Sequence, residues 1–187
     1  MLFLAKAVAT AFLGWQAWDG LNRLQERRTT FAKALATARH RGKPLLIVGL
    51  PYGMYGCGSA ADGDVVLDLR TLRQCPNQVQ GSVEDLTRWS EKHFGAAFVS
   101  HVVEHTCDPR RAVAELRRVA DTVYMLYPPW WSLSAWLVPG HTHVVWPGPG
   151  GGVQFVKIRE RCNTPTYFGD AAMGRARRLA GISIRTA

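Results

Sequence analysis

Residues 101–105, with the sequence HVVEH, combine the side-chain types best able to do chemistry in this chain. His101, Glu104 and His105 match the H-x-x-E-H pattern, in which two histidines on one face of a helix bind zinc. The apolar run AAFVSHVV, residues 96–103, predicts a strand here instead of a helix. In a strand, His101 and His105 would stand roughly 13 Å apart, too far for two bonds of about 2 Å to one zinc ion. We therefore predict that HVVEH holds no zinc.

Other candidate metal ligands are sparse. His141 and His143 form a His-x-His pair, but two ligands do not make a metal site. The four cysteines lie far apart and form no C-x-x-C motif, so they indicate neither a zinc ribbon nor a redox centre. We expect four free thiols in a reducing compartment: Cys57, Cys75, Cys107 and Cys162. The sequence predicts a protein without a bound metal.

Short apolar segments alternate with helical patterns through residues 43–146. Strands are predicted for PLLIVG (44–49), DVVLDL (64–69), AAFVSHVV (96–103) and TVYMLY (122–127). Helices are predicted for residues 82–94, with Ser82 as the cap, and for residues 108–120, with Asp108 as the cap and Pro109 at the first position. This alternation predicts the α/β fold class, with a doubly wound, mostly parallel sheet.

The net charge of +9 is carried by the two ends of the chain. Residues 1–43 hold eight basic and two acidic side chains, residues 44–146 hold eight and ten, and residues 147–187 hold seven and two. A nucleic-acid enzyme would carry its positive charge around the central cleft, so we predict no nucleic-acid partner. Basic ends around a near-neutral body fit an anionic membrane surface or an acidic partner.

The amino-terminal segment favours the membrane. Residues 2–18 are apolar apart from Lys6, Thr10 and Gln16, Trp15 and Trp18 could form an interfacial belt, and arginines follow. We predict one long helix to about His40 whose first part is transmembrane, with the body on the cytoplasmic side. The alternative is a helix that docks on its own domain or on a partner. The predicted units are a 1–42 anchor helix, a 43–146 domain and a 147–187 basic extension, with a strand at 153–158 and a helix at 169–181.

The segment FVSHVVEHTCDPRRAVAELRRVADTVYMLYPP closely resembles class I S-adenosylmethionine-dependent methyltransferases of type 11. It matches their fourth strand, fourth helix and fifth strand at Val103-Glu104-His105, at Asp108-Pro109 and at Arg118-Val119. Upstream, PLLIVG, DVVLDL and GSVEDL follow the order of the family's first three strand regions. The resemblance covers about residues 43–146 and implies a Rossmann-like methyltransferase fold with S-adenosylmethionine as the cofactor.

The resemblance also implies site residues. Cofactor contacts fall on Gly49, Gly53, Asp68, Ser82 and Val83, with Asp68 at the position of the family's ribose-binding acid. The candidates for catalysis border the place where methyl donor and acceptor meet, and they are Glu104, His105 and His101.

The glycine-rich motif departs from the family pattern. The first strand usually ends in an acidic residue, but Ile47, Val48 and Gly49 include none. Residues 49–63 leave little room for the usual first helix, and Ser82 stands where an aspartate often binds adenine.

Two functions remain open. The first is a membrane-anchored, catalytically degenerate methyltransferase-like protein that serves as an accessory subunit of a membrane protein complex. The second is an active methyltransferase acting on an apolar, membrane-associated acceptor such as a quinone, a pigment precursor or a lipid. The altered glycine-rich motif favours the first.

A tryptophan-rich segment follows the fifth predicted strand and would form an apolar lid or a contact surface: Trp130, Trp131, Trp136 and Leu137.

Overall fold

The computed structural model describes residues 2–49, 64–70, 77–149 and 152–162. The first element, α1, is a single helix at Leu2–His40, as the sequence predicts. Among these residues no helix is long and apolar enough to cross a membrane, so the predicted transmembrane span is not found. The apolar run of residues 2–18 is interrupted by Lys6, Thr10 and Gln16 and ends at Asp19.

Five parallel strands form the central sheet of the domain. They are β1 (Leu45–Val48), β2 (Val65–Asp68), β3 (Gln78–Gln80), β4 (Ala96–Ser100) and β5 (Val123–Leu126). The sheet order is β3-β2-β1-β4-β5, and every neighbouring pair is parallel. The predicted α/β class with a mostly parallel, Rossmann-like sheet is therefore confirmed, and β3 lies just before the predicted third strand region.

Among the described residues, one helix packs on each face of the sheet. The last turns of α1 pack Phe31, Ala34 and Ala38 against buried side chains of β1, β2 and β4. The opposite face is covered by α2 (Pro109–Val119), whose cap is Asp108, as predicted, because its carboxylate accepts from the amides of Arg110 and Arg111. The buried face of α2 matches the predicted one: Val113, Leu116, Val119 and the following Ala120.

The helix predicted at residues 82–94 is wrong, since this segment forms a series of turns. Side chains from α2 satisfy its backbone groups instead of an internal helical ladder. Glu115 accepts the amide of Leu86 at 3.0 Å, and Arg118 donates to the carbonyls of Leu86 and Trp89, each at 2.9 Å. Ser82 and Asp85 also accept bonds from backbone amides two residues further on, a local bond that competes with helix formation.

The chain then leaves the parallel sheet through a short helix and a hairpin. The helix α3 (Leu133–Leu137) precedes β6 (His143–Pro147), which pairs in antiparallel register with β7 (Val153–Lys157). The strand predicted at residues 153–158 is thus confirmed. The helix predicted at 169–181 and the glycine-rich residues 50–63 lie outside the described residues.

A disulfide joins Cys107 to Cys162, with their Cα atoms 4.8 Å apart. The prediction of four free thiols is wrong for these two residues, because the β6–β7 hairpin brings Cys162 back to Cys107 at the start of α2. The spacing along the sequence gave no sign of this, since 55 residues separate the partners. Cys57 and Cys75 lie outside the described residues.

Candidate functional site

The carboxyl ends of β1 and β4 meet at the middle of one sheet edge. From β1 the chain moves outward to β2 and β3 on one side, whereas β4 and β5 lie on the other. Open α/β sheets bind ligands at this kind of reversal in strand order. Gly49 follows β1 with a φ of +74°, and a Cβ atom there would lie 2.6 Å from Cγ2 of Val102. The two strand ends therefore approach each other so closely that the position requires glycine.

The predicted strand at residues 96–103 ends earlier, at Ser100. His101 has a φ of +56°, which turns the backbone out of the sheet, and Val103–His105 form one turn of 3-10 helix. This turn places His101 beside Glu104, with 3.2 Å between Nδ1 of His101 and Oε1 of Glu104. The spacing of roughly 13 Å between His101 and His105 assumed an extended strand, so that argument against a metal does not hold.

Glu104 is the most deeply buried acidic side chain of this edge, with 1% of its surface exposed. In the described part of the chain neither of its carboxylate oxygens has a hydrogen-bond partner. Its backbone carbonyl accepts from the amide and the hydroxyl of Thr142, at 2.8 and 2.9 Å. This anchor brings His141 alongside, with Nε2 of His141 3.9 Å from Oε1 of Glu104.

His105 and His141 are both held by backbone carbonyls through the same ring nitrogen, Nδ1. Nδ1 of His105 lies 2.7 Å from the carbonyl of Gly140, and Nδ1 of His141 lies 3.3 Å from the carbonyl of Ala135. A carbonyl can only accept, so each Nδ1 carries a hydrogen, and in the neutral imidazole Nε2 is then the nitrogen with the lone pair. One ligand atom from each of Glu104, His105 and His141 falls within 4.8 Å of the others.

The pKa values of Glu104 and His141 depend on burial and on the neighbouring ionisable side chains. Burial raises the pKa of Glu104, but its contact with His101 and its attraction to the neighbouring imidazoles in their protonated form outweigh burial and lower that pKa overall. Burial lowers the pKa of His141, which the nearby carboxylate of Glu104 only partly opposes. The carboxylate is therefore ionised and His141 is neutral at neutral pH.

The described residues implied for cofactor binding lie at or just after the carboxyl ends of β1, β2 and β3. Asp68 ends β2 and is buried, and its Oδ1 accepts the amide of Arg70 at 2.9 Å. A carboxylate at this strand end fits the hydroxyls of a ribose, which are hydrogen-bond donors. Ser82 lines a cavity of about 280 Å³ together with Gly81 and Trp89. Val83 is buried in the core under α2, and Gly53 lies outside the described residues.

The tryptophan-rich segment lies on the surface beside the cluster of histidines. Trp130, Trp131, Trp136 and Leu137 are all exposed, and Trp136 donates its indole hydrogen to the carbonyl of Trp130 at 2.6 Å. The same segment reaches the cluster through Ala135, whose carbonyl holds His141. The sequence noted His141 and His143 only as an isolated pair. The structure separates them, because the ring of His143 lies 3.0 Å from the hydroxyl of Thr142 and belongs to no group of ligands among the described residues.

Comparison with known proteins gives one match. Residues 56–122 match the model of the methyltransferase domain family, from the glycine-rich segment through β2, β3, β4 and α2 to the residue before β5. No curated protein and no solved structure matches the chain. The matched segment includes HVVEH and the helix after it, which are the residues on which the resemblance in the sequence rests. Residues 56–122 are therefore similar to a methyltransferase domain, and the parallel order β3-β2-β1-β4-β5 fits a Rossmann-like α/β fold.

Proposed function

We propose that this protein is an active S-adenosylmethionine-dependent methyltransferase. One observation carries the proposal: Asp68, Gly49 and the Glu104 group stand at the carboxyl edge of the sheet, on both sides of the point where the strand order reverses. Cofactors of doubly wound sheets bind in the crevice at this point. The altered glycine-rich motif favours a degenerate protein. The buried carboxylate of Glu104 argues the other way, because burying such a group without hydrogen bonds is costly and such groups concentrate at functional sites.

Each residue at the edge has a part in this proposal. Asp68 would accept hydrogen bonds from the ribose hydroxyls, and Gly49 would let the backbone approach the cofactor without a side chain in the way. Ser82 borders the cavity beside β3 and would lie towards the adenine. When bound, S-adenosylmethionine supplies an electrophilic methyl group. The protein then contributes mainly the alignment of this group with the acceptor, from which much of the rate can come.

The surroundings of Glu104 indicate the kind of acceptor. His101 is partly exposed and Glu104 is buried behind it, so a polar atom of the acceptor would meet His101 first. The exposed side chains of Trp130, Trp131 and Trp136 lie next to this opening and would contact an apolar body. The proposed acceptor is therefore an apolar molecule with one polar atom to methylate, such as a quinone, a pigment precursor or a lipid.

The first half of α1 supports a membrane-associated setting. Large apolar side chains are exposed along it: Phe12, Leu13, Trp15, Trp18, Leu21 and Leu24. Arg23, Arg27 and Arg28 lie in the same stretch. An apolar surface with neighbouring arginines fits the headgroup region of an anionic membrane. We propose contact with the cytoplasmic membrane surface, where an apolar acceptor would be found.

A second candidate is an accessory subunit of a membrane complex that binds no cofactor. The observation in its favour is the end of β1, where Ile47, Val48 and Gly49 supply no acid for the methionine end of the cofactor. In that case the exposed tryptophans and the apolar part of α1 would contact partner proteins. The two candidates differ in one measurable property, the affinity for S-adenosylmethionine.

Isothermal titration calorimetry of the full chain with S-adenosylmethionine separates the two. We expect a dissociation constant in the low micromolar range. Asp68→Ala should weaken binding about 10- to 150-fold, which corresponds to the loss of one charge-assisted contact of about 1.5–3 kcal/mol. The exposed Glu91 provides the matched control, and Glu91→Ala should bind as the parent does. Absence of binding heat in the folded parent protein would reject catalysis and favour the accessory subunit.

A further inference from the structure

We propose that Glu104, His105 and His141 form a binding site for one zinc ion. The sequence predicts no zinc because it predicts HVVEH as an extended strand, and that premise is wrong. The 3-10 turn at Val103–His105 and the backbone bonds of Thr142 to Glu104 bring three ligand atoms within 4.8 Å of one another. His141 comes from a different part of the chain, 37 residues after Glu104, so no local motif reveals the set.

The carboxylate of Glu104 is the first independent sign of a ligand. It is almost completely buried, and neither oxygen has a hydrogen bond within the described residues. Buried carboxylates normally pair with hydrogen-bond donors or coordinate a metal. Nδ1 of the partly exposed His101 lies 3.2 Å from Oε1, but this contact is not aligned as a hydrogen bond. A cation between Glu104, His105 and His141 would interact with the carboxylate oxygens that lack hydrogen bonds.

The orientation of the two rings is the second sign. Histidines that bind metals usually donate the other ring hydrogen to a backbone carbonyl or a carboxylate, which sets the tautomer and aims the lone pair. His105 makes this bond to Gly140 at 2.7 Å, and His141 makes it to Ala135 at 3.3 Å. In both rings Nε2 is left as the ligand atom. The two rings stand close together, with their centroids 4.8 Å apart.

The ligand types select the metal. Two imidazoles and one carboxylate suit zinc, whereas magnesium and calcium prefer sites made of oxygen ligands. Tetrahedral zinc with bonds of about 2 Å holds its ligand atoms roughly 3.3 Å apart. Nε2 of His141 and Oε1 of Glu104 are now 3.9 Å apart. Because the three ligand atoms lie within 4.8 Å of one another, binding would need them to move closer together by up to about 1.5 Å.

Three protein ligands leave one position of a zinc ion open. Zinc sites of this composition bind water or a substrate oxygen at that position. If the protein is the methyltransferase proposed above, the open position would hold the oxygen of the acceptor, next to His101; this role alone rests on the proposed function. The binding of zinc itself does not depend on methyl transfer or on S-adenosylmethionine.

The experiment uses the full chain without a histidine tag. The protein is freed of metal with a chelator and dialysed, one equivalent of zinc chloride is added, and unbound metal is removed. Elemental analysis should then give one zinc per chain, and the thermal midpoint should rise when zinc is present. Competition with a chromophoric chelator measures the affinity.

Three variants remove a ligand and keep the surroundings. His105→Asn and His141→Asn retain a side-chain donor near the position of Nδ1 but lose Nε2, and Glu104→Gln loses the charge with little change in shape. Each should weaken zinc binding by at least about 100-fold, since even the loss of an outer partner of a zinc ligand commonly costs 10- to 100-fold. His143→Asn is the control, because His143 is also buried but lies outside the group. It should keep one zinc per chain.

Two outcomes would overturn the inference. One is a folded parent protein, verified by circular dichroism, that retains no zinc. The other is full zinc retention in both asparagine variants, which would place the metal elsewhere in the chain. Calorimetry with S-adenosylmethionine, run on the zinc-free and the zinc-loaded protein, keeps the two proposals apart. Zinc without cofactor binding would reject only the methyltransferase, and cofactor without zinc binding would reject only the metal site.

Discussion

Arg39 and Asp64 form an ion pair that fastens the last turn of α1 to the start of β2. Nη1 of Arg39 donates to Oδ1 of Asp64 at 2.9 Å, and Nη2 donates to Oδ2 at 2.5 Å. The same Oδ1 accepts the amide of Leu45 at 2.8 Å, and the side chain of Asp64 is fully buried. One carboxylate thus joins α1, β1 and β2 at the amino edge of the sheet, opposite the candidate site.

Replacing Asp64 should therefore destabilise the fold strongly. Asp64→Ala leaves the amide of Leu45 and the guanidinium of Arg39 without their buried acceptor, which should cost about 2–4 kcal/mol. Urea denaturation at pH 7 measures the free energy of unfolding. The control is Asp19→Ala, which removes a similar ion pair with Arg23 within one helix and should cost about 0.5 kcal/mol. Equal losses in the two variants would contradict the structural role of Asp64.

The disulfide between Cys107 and Cys162 should contribute to stability as well. It closes a loop across 55 residues of sequence; disulfides typically contribute about 2–4 kcal/mol, and the chain-entropy relation places a loop of this size at the upper end of that range. Cys162→Ser should lower the free energy of unfolding by that amount. Peptide mapping of the alkylated, unreduced protein should recover one fragment that contains both cysteines. Recovery of both as separately alkylated peptides would refute the bond.

Glu115 should make stability sensitive to acid. Hydrogen bonds from Arg118 are the main reason why the pKa of Glu115 is lowered from its ordinary value of 4.5, while burial opposes them and the amide of Leu86 assists. A carboxyl whose pKa is lowered by folding stabilises the protein above pH 4.5, and this contribution is lost as the pH falls through its folded-state pKa.

Glu115→Gln should therefore be less stable than the parent by about 1–2 kcal/mol at pH 7, and the difference should shrink as the pH falls below 4.5 and through the lowered pKa of Glu115. Urea denaturation at pH 7, 5, 4 and 3 tests this trend. Glu160→Gln serves as the control, because the side chain of Glu160 is 89% exposed in its pair with Lys157. A constant difference between parent and Glu115→Gln over the whole range would show that the charge of Glu115 contributes nothing.

The same residue explains why one element could not be predicted from the sequence. The apolar spacing at residues 82–94 fits a helix, and only contacts with a distant element decide otherwise. Glu115 and Arg118 bind the backbone of Leu86 and Trp89, which gives a non-helical segment the hydrogen bonds it needs. By contrast, α2 is predictable because Asp108 and Pro109 specify its start locally.

The candidate site, too, could be predicted from the sequence only in part. HVVEH is visible in the sequence as a set of reactive side chains, and the strand before it was predicted. The geometry of HVVEH was not predicted, because nothing in the local sequence indicates that His101 adopts a left-handed backbone conformation. The contribution of His141 depends on Thr142 reaching back to Glu104, a contact between residues 38 positions apart. Patterns of short range cannot reveal such a contact.

The exposed apolar part of α1 should bind anionic membranes. Trp18 and Leu21 are 62% and 66% exposed, and burying them among lipid headgroups and acyl chains would stabilise the bound state. The double variant Trp18→Glu, Leu21→Glu should lose most co-sedimentation with vesicles that contain phosphatidylserine. Leu137→Glu changes an equally exposed leucine, at 65%, outside α1 and should bind as the parent does. Unchanged sedimentation of the double variant would exclude α1 as the contact.

Gly42 and Gly49 both have a left-handed backbone, but only Gly49 is crowded. Alanine substitutions at the two positions therefore separate the cost of backbone strain from the cost of a steric clash. Gly42 has a φ of +61° with open space around a Cβ atom, whereas at Gly49, with a φ of +74°, a Cβ atom would lie 2.6 Å from Val102. Gly42→Ala should cost about 1–2 kcal/mol for the backbone alone. Gly49→Ala should cost a further 1–3 kcal/mol, because Val102 must move.

That movement has a functional consequence. Val102 immediately precedes the turn that carries Glu104 and His105, so displacing it should disturb the candidate site as well as the core. Under the proposed function, Gly49→Ala should weaken S-adenosylmethionine binding at least about 10-fold at a temperature where the variant remains folded, while Gly42→Ala binds normally. Urea denaturation and calorimetry on both variants give the two readouts. Equal stability losses, with cofactor affinity unchanged in both, would mean that the close approach of β1 to β4 has no part in the site.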